Sequence, residues 1–214
     1  MAAERPYLIG LTGSIGMGKS ETLKMFAKLG LPVYDADAAV HALYEQGGAA
    51  VAKIAEAFPG SVKNGRVERG ELARQVAADA SAFARLEAIV HPLAADAQRA
   101  FIEDATAKGA QLVALDIPLL FETGGHARID AVVVVSAARD VQRDRVLSRE
   151  GMTQERLDGL LARQMPDAEK RAKAHFVVET DQGLEHAFAQ VKKIVAELSE
   201  RRAKQGAGTA AKHS

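Results

Sequence analysis

Five short apolar runs, rich in β-branched residues, punctuate a chain that is otherwise patterned for helix. They lie at residues 8–12, 32–35, 112–116, 131–136 and 176–180. A strand buried on both faces reads as a continuous apolar run rather than an alternating one. Such runs separated by helical patterns predict a parallel sheet with helices on both faces. Connections between its strands are then right-handed crossovers.

The spacing of the runs is uneven. About twenty residues separate the first two, room for one helix. More than seventy separate the second from the third, and this stretch holds helical patterns and the turn-rich segment Pro59-Gly60-Ser61-Val62-Lys63-Asn64-Gly65. That is too long for one crossover and predicts a helical insertion at about 38–107. A second, polar insertion at about 139–173 has the character of a lid. The core is then 7–37, 108–138 and 174–200, one domain over 1–200, with 201–214 expected to be a disordered tail because it is polar and lacks apolar periodicity.

Immediately after the first run stands Gly13-Ser14-Ile15-Gly16-Met17-Gly18-Lys19-Ser20, which satisfies G-x-x-x-x-G-K-[ST]. A helical pattern containing Leu23, Phe26 and Ala27 follows. Strand, glycine-rich loop and helix in that order form a phosphate-binding loop: successive N–H groups face one concavity, and the helix N-terminus adds partial positive charge. Lys19 reaches the β- and γ-phosphates and the Ser20 hydroxyl can ligate Mg²⁺. Glu21 follows within the first helical turn. The chain is therefore expected to bind a nucleoside triphosphate.

In open α/β sheets ligands bind beyond the carboxyl ends of the strands, and the remaining candidates cluster at such ends or in the insertions. The second run ends in Asp35-Ala36-Asp37, two carboxylates that share a face if the segment is extended. An anionic phosphate acceptor needs no base, but a hydroxyl acceptor needs somewhere to put its proton. Asp37 is the candidate base, with Asp35 orienting it or ligating Mg²⁺; alternatively Asp37 caps the helix expected from Ala38. The third run ends at Asp116, in the position of a metal-facing carboxylate. It leads into Pro118-Leu119-Leu120-Phe121-Glu122, candidates for acceptor contact or core. His91-Pro92 is read as the start of a helix, with Pro at its first position and His91 facing an anionic group. Arg145 and Arg149 in the second insertion are four apart, are expected to share a helix face, and are followed by Gly151 as a hinge. Mobile arginines that cover the transferred phosphoryl group, under a lid that excludes water, are what such a reaction requires.

Composition narrows the classes. Lys and Arg number 28 and Asp and Glu 28, which argues against general affinity for nucleic acid or an anionic membrane. The absence of cysteine excludes disulfides, thiolate zinc sites and a cysteine nucleophile. The N-terminal residues lack a secretory h-region and no apolar run is long enough to span a bilayer, so a soluble cytoplasmic protein is expected, as a monomer or small homo-oligomer.

Taken together, five blocks resemble the dephospho-CoA kinase family, in the family's order, from residue 8 to about 184. They are Leu11 to Ser20, Asp35-Ala36-Asp37, His91-Pro92-Leu93, Pro118-Leu119-Leu120-Phe121-Glu122, and Gln142-x-x-Arg145-x-x-x-Arg149 leading to Gln164-Met165. The resemblance implies a P-loop kinase fold and phosphorylation of the ribose 3′-hydroxyl of dephospho-CoA by ATP and Mg²⁺, giving CoA. It implies that Asp37 is the base, that the first insertion binds the acceptor and that the second is the lid. Lys19 and Arg145 are then catalytic partners; residues 13–21, Arg145 and Arg149 bind ATP; Asp35, Asp37, His91 and residues 118–122 bind the acceptor; and Ser20, with Asp35 or Asp116, takes the metal. Ser14 and Glu21 depart from residues common in the family, as does Glu179-Thr180-Asp181-Gln182-Gly183 in place of an Asp-Asn-x-Gly turn, so no side chain is assigned to adenine. A nucleoside monophosphate kinase is the alternative, disfavoured because no arginine stands near the end of the second run. A GTP switch is disfavoured by the lack of N-K-x-D or T-K-x-D.

Overall fold

The structure, a computed structural model, describes residues 4–210. Its strands are β1 (Tyr7–Thr12), β2 (Val33–Asp35), β3 (Val62–Lys63), β4 (Arg66–Val67), β5 (Leu112–Asp116), β6 (Ala131–Ser136) and β7 (Phe176–Glu179). The helices are α1 (Lys19–Lys28), α2 (Ala36–Tyr44), α3 (Val51–Ala57), α4 (Arg69–Ala78), α5 (Ala82–Ala107), α6 (Arg139–Leu147), α7 (Gln154–Leu161), α8 (Asp167–Lys173) and α9 (Leu184–Ala210). Asp35–Asp104 forms one compact unit, and Met1–Tyr34 with Ala105–Ser214 the other.

All five apolar runs are strands of one sheet, ordered β2-β5-β1-β6-β7. The paired neighbours β1/β5, β1/β6 and β6/β7 run parallel. β1, β5 and β6 are buried along their whole length, which explains why their sequences are continuous rather than alternating. Side chains nevertheless alternate in destination. Val133 and Val135 join Ile9, Leu11, Phe26 and the α9 residues Ala187, Val191 and Leu198 in one cluster, while Val132 and Val134 join Leu120 and Phe121 in another. Register pairs Leu11 with Asp116, Thr12 with Val134, and Ser136 with Glu179. One sheet edge therefore presents the ends of β1, β5, β6 and β7 together.

The second unit has a core of its own, built from Leu43, Ala50, Ile54, Phe58, Val67, Leu72, Ala82 and Val90. The turn-rich segment at its middle forms the β3–β4 hairpin.

Three sequence expectations change. Pro92 does not start a helix: α5 begins at Ala82 and carries Pro92 inside it. Asp79 organises that start, accepting from the Ser81 N–H and hydroxyl at 2.8 Å each while its backbone carbonyl accepts from Ala82 N–H at 3.0 Å. Ala27 is exposed; the buried side of α1 is Thr22, Leu23, Met25 and Phe26. The boundary expected at residue 200 falls within α9, where the buried Arg202 donates to Glu4 (3.0 Å) and to the Arg5 carbonyl (2.8 Å). The last part of the expected tail, 211–214, and residues 1–3 lie outside the described residues.

Gly13 shows how closely the β1–α1 loop lies against the sheet. A Cβ there would sit 2.5 Å from the Val135 carbonyl oxygen, a backbone atom that cannot swing away. Gly13→Ala is expected to destabilise the protein by about 1–3 kcal/mol, the usual cost of forcing an extra carbon into a packed site, read as a lower denaturant midpoint at unchanged slope.

Candidate active site

The loop between β1 and α1 is held from outside by its carbonyls. Gln142 Nε2 donates to Ile15 O at 2.7 Å, Arg145 Nη1 to Gly16 O at 3.4 Å, and the Thr180 hydroxyl to Met17 O at 2.8 Å. Three successive carbonyls are thus bonded by side chains of α6 and of the residue after β7. Met17 N–H closes a turn onto Ser14 O at 3.2 Å. Gly18 stands at the N-cap of α1 with φ 95°, a left-handed value that favours glycine, and supplies no side-chain cap. The first-turn N–H groups of α1 are left for an anion.

Two cations converge on this loop. Lys19 Nζ lies 3.3 Å from Asp116 Oδ1, with 15% and 6% of their side chains exposed, so the carboxylate at the end of β5 holds the loop lysine. The Arg145 guanidinium also donates to the Thr180 hydroxyl (2.9 Å) and carbonyl (2.7 Å). Its acceptors, the Gly16 carbonyl and the Thr180 hydroxyl and carbonyl, are all neutral. Arg145 and Arg149 line a cavity of about 310 Å³ together with Gly16, Gly18, Glu21, Met25 and Leu184. Arg149 lies two residues past the end of α6 rather than on its face, yet reaches the same cavity.

Glu122 ties α8 to the turn that precedes it. Its Oε1 pairs with the Lys170 ammonium at 2.8 Å and accepts from Met165 N–H at 2.8 Å. The Lys170 side chain has no exposure and that of Glu122 has 17%. Burial acts to raise the Glu122 carboxyl, but the Lys170 hydrogen bond and the backbone N–H donors outweigh it and hold it below the ordinary glutamate value. A second network ties α8 to the sheet: Ser136 donates to Asp167 at 2.7 Å, and Arg171 bridges Ser136 and Glu179, both at 3.0 Å.

In the other unit, Asp37 stands at a cavity of about 560 Å³ whose walls include Val40, Leu72, Val76, Phe83 and Leu86. Tyr44 and Arg69 add polar tips, the guanidinium 5.9 Å from the ring centre. Burial pushes the Tyr44 phenol up, and Arg69 opposes it. Phe83 is 58% exposed, an aromatic surface that a ligand can cover.

The dephospho-CoA kinase family model matches residues 7–186. The chain belongs to the dephospho-CoA kinase family. A dephospho-CoA kinase of Rhodopseudomonas palustris (strain BisB18) is 56% identical over 189 residues, covering 88% of this chain and 94% of that protein. A solved Thermus thermophilus protein superposes with TM-score 0.73 at 34% identity, covering 91% and 99% of the two chains. A dephospho-CoA kinase from Campylobacter jejuni shares the fold at 22% identity, with TM-score 0.68 over 90% and 97%.

For this dephospho-CoA kinase family member, several assignments from sequence need correcting. Asp35, not Asp37, caps α2, accepting from Ala38 N–H at 2.9 Å. The helix starts at Ala36, so Asp37 is in its first turn and the Asp35-Ala36-Asp37 segment is not extended. Of the 118–122 block, Leu120 (0% exposed) and Phe121 (7%) pack in the core, and Glu122 is paired with Lys170. Leu119 remains exposed, and Pro118 O accepts from Thr12 at 3.1 Å. His91 is an exposed residue of α5, 3.6 Å from Glu87. Ser14 has no left-handed strain: the one non-glycine residue with positive φ among those described is Asn64. Glu21 turns to Lys24 on the surface at 2.7 Å. Thr180 and Lys170 carry key bonds without any local sequence signal.

Glu122→Ala leaves Lys170 buried without its carboxylate and is expected to cost about 3–5 kcal/mol at neutral pH. Glu122→Leu combined with Lys170→Met is expected to recover most of that loss. Because the folded-state value is depressed, the pair stabilises the protein above the ordinary 4.5 and stops doing so as pH falls through the lower folded value. Denaturation curves across that range are expected to show the stability gap between parent and Glu122→Ala narrowing with acid.

Proposed function

We propose that the chain transfers the γ-phosphoryl group of ATP to the ribose 3′-hydroxyl of dephospho-CoA, giving CoA and ADP. The observation that carries this reading is the pairing of a phosphate loop whose carbonyls are anchored outward with Lys19 beside Asp116, in a chain of this family. The amides of the loop and the first turn of α1 take the donor phosphates. Lys19 covers the β- and γ-oxygens, and Arg145, held by neutral acceptors, brings positive charge to the oxygens of the group in flight.

Asp37 is the proposed base. Asp35 spends its carboxylate on the cap of α2, while Asp37 is exposed. As the O3′–Pγ bond forms and the bond from Pγ to the β,γ-bridging oxygen breaks, the O3′ proton passes to Asp37 and ADP leaves. The apolar cavity beside Asp37, with Phe83 and Tyr44, is the proposed seat of the acceptor's uncharged portion.

Mg²⁺ fits the donor side. Ser20 offers a hydroxyl and Asp116 a buried carboxylate next to Lys19. Among the described residues there is no group of three His, Asp or Glu able to hold a metal. Mg²⁺ binds through one or two protein groups and takes phosphate and water for the rest. When bound, it neutralises charge on the β- and γ-phosphates. Asp35, committed to its cap, is the weaker second ligand. No described helix is long and apolar enough to cross a membrane. A cytoplasmic site of action, as monomer or small homo-oligomer, is part of this proposal.

Incubation with ATP, Mg²⁺ and dephospho-CoA is expected to yield CoA by mass, with AMP and shikimate unmodified. AMP phosphorylation without CoA formation would replace the reading with a nucleotide kinase. Asp37→Asn is expected to lower kcat by about 10²–10⁴-fold, the range of a lost general base, with ATP affinity nearly intact. Lys19→Ala is expected to weaken both ATP binding and turnover.

A further inference from the structure

The tip of the phosphate loop is held by both polar atoms of one residue. Ile15 N–H donates to Gln164 Oε1 at 3.3 Å, and Ile15 O accepts from Gln142 Nε2 at 2.7 Å. The amide orientations are forced, because an N–H can only donate and a carbonyl can only accept. The two glutamines come from different parts of the lid region: Gln142 is in α6 and is 5% exposed, whereas Gln164 lies in the turn between α7 and α8. Neither is held loosely. α6 packs so closely that a Cβ on Gly16 would meet Val146 Cγ2 at 2.5 Å and Gln142 O at 3.1 Å. Gln164 directly precedes Met165, whose N–H is fixed by Glu122, and Glu122 is fixed in turn by Lys170.

Resting on the function proposed above, we infer that Gln142 and Gln164 are positioning residues that set the phosphate-loop tip through the Ile15 backbone, with Glu122 holding Gln164 in place. Ile15 is four residues before Lys19, at the end of the loop away from the helix N-terminus. The amides at that N-terminus carry most of the phosphate affinity. A clamp on Ile15 therefore governs how the transferable end of the triphosphate is presented more than how tightly the nucleotide is held. Misplacing reacting groups by a fraction of their separation costs rate without a matching cost in affinity. A tip released from the lid also leaves the transferable phosphate open to water.

The opposite polarity of the two bonds supplies the test. Gln→Glu makes the same near-isosteric change and adds the same charge at both sites. At position 164 the carboxylate still accepts from Ile15 N–H; at position 142 it cannot donate to Ile15 O. Four variants of the full chain, Gln142→Glu, Gln142→Leu, Gln164→Glu and Gln164→Leu, are compared with the parent. The readouts are kcat and ATP KM with dephospho-CoA, ATP hydrolysis without acceptor, and hydrogen exchange of the Ile15 amide by NMR without any substrate.

Gln142→Glu and both Leu variants are expected to lose about 10–100-fold in kcat, with ATP KM changed less than about threefold and more ATP lost to water per CoA formed. Gln164→Glu is expected to stay within about threefold of the parent in kcat. Ile15 amide protection is expected to fall in Gln164→Leu and to persist in Gln164→Glu. Equal losses in the two Glu variants, or unchanged protection and kcat in Gln164→Leu, would overturn the inference. If the parent makes no CoA, the proposed function fails, while Ile15 exchange and the hydrolysis rates still decide whether the clamp exists and acts. Thermal midpoints show whether any loss is simply unfolding, and Ile15 exchange measured below the midpoint then carries the decision.

Discussion

A phosphate-binding loop has to hold its peptide planes in one orientation for an anion, and here that is done largely from outside the loop. Ile15 N–H goes to Gln164 and Met17 N–H to Ser14 O, while three successive carbonyls are taken by other elements. Backbone amides away from water normally find a partner, because leaving one unmade costs about 1–3 kcal/mol. The loop here engages its carbonyls as well as two of its amides. Ile15, Gly16 and Met17 each give their oxygen to a different side chain, Gln142, Arg145 and Thr180. With the carbonyls committed outward, the peptide planes are fixed, and planar peptides leave the amides little choice of direction. Glycine at 13 admits the sheet and glycine at 16 admits α6, so both walls close to within van der Waals contact of the backbone.

The same anchoring sets the charges. Lys19 is neutralised locally by Asp116, two side chains largely withdrawn from water. Arg145 instead rests on a hydroxyl and two carbonyls. The difference matters for a reaction in which charge spreads across a moving group. A cation already paired to a carboxylate has to exchange partners, whereas one held by neutral acceptors keeps its field and loses only hydrogen bonds. A balanced total of 28 positive and 28 negative side chains conceals this local asymmetry.

Much of the frame was legible in the sequence because burial on both faces leaves an unmistakable mark. All five strand runs were found at nearly their observed bounds, and the phosphate loop announced itself by spacing. The misreadings share a cause: local rules were applied where a neighbouring residue had already taken the role. Pro92 suits a helix start, but the Asp79–Ser81 cap begins α5 ten residues sooner. Asp37 suits a cap, but Asp35 makes the bond. Leu120 and Phe121 suit either a cleft or a core, and only packing decides. The bonds that matter most to the loop were beyond reach for another reason. Gln142, Gln164 and Thr180 meet it across 127, 149 and 163 residues of sequence, and a polar side chain gives no periodic signal of its distant partner.

Lys170 poses the remaining question of economy. A wholly buried lysine is costly, and an apolar pair of similar volume would often be at least as stable. What an apolar pair lacks is direction. Glu122 Oε1 receives Lys170 Nζ and Met165 N–H at the same 2.8 Å, so one carboxylate oxygen fixes both a helix and the backbone beside Gln164. Leucine or methionine at these positions would fill space but would let that backbone slide by the fraction of an ångström that packing tolerates. The Met165 N–H bond to the charged carboxylate does not tolerate it, since a hydrogen bond's strength falls steeply with angle and distance. The buried pair is therefore best understood as a device of position. It exchanges some stability for a defined place for Gln164, and through Gln164 for the loop tip on which the donor phosphate is presented.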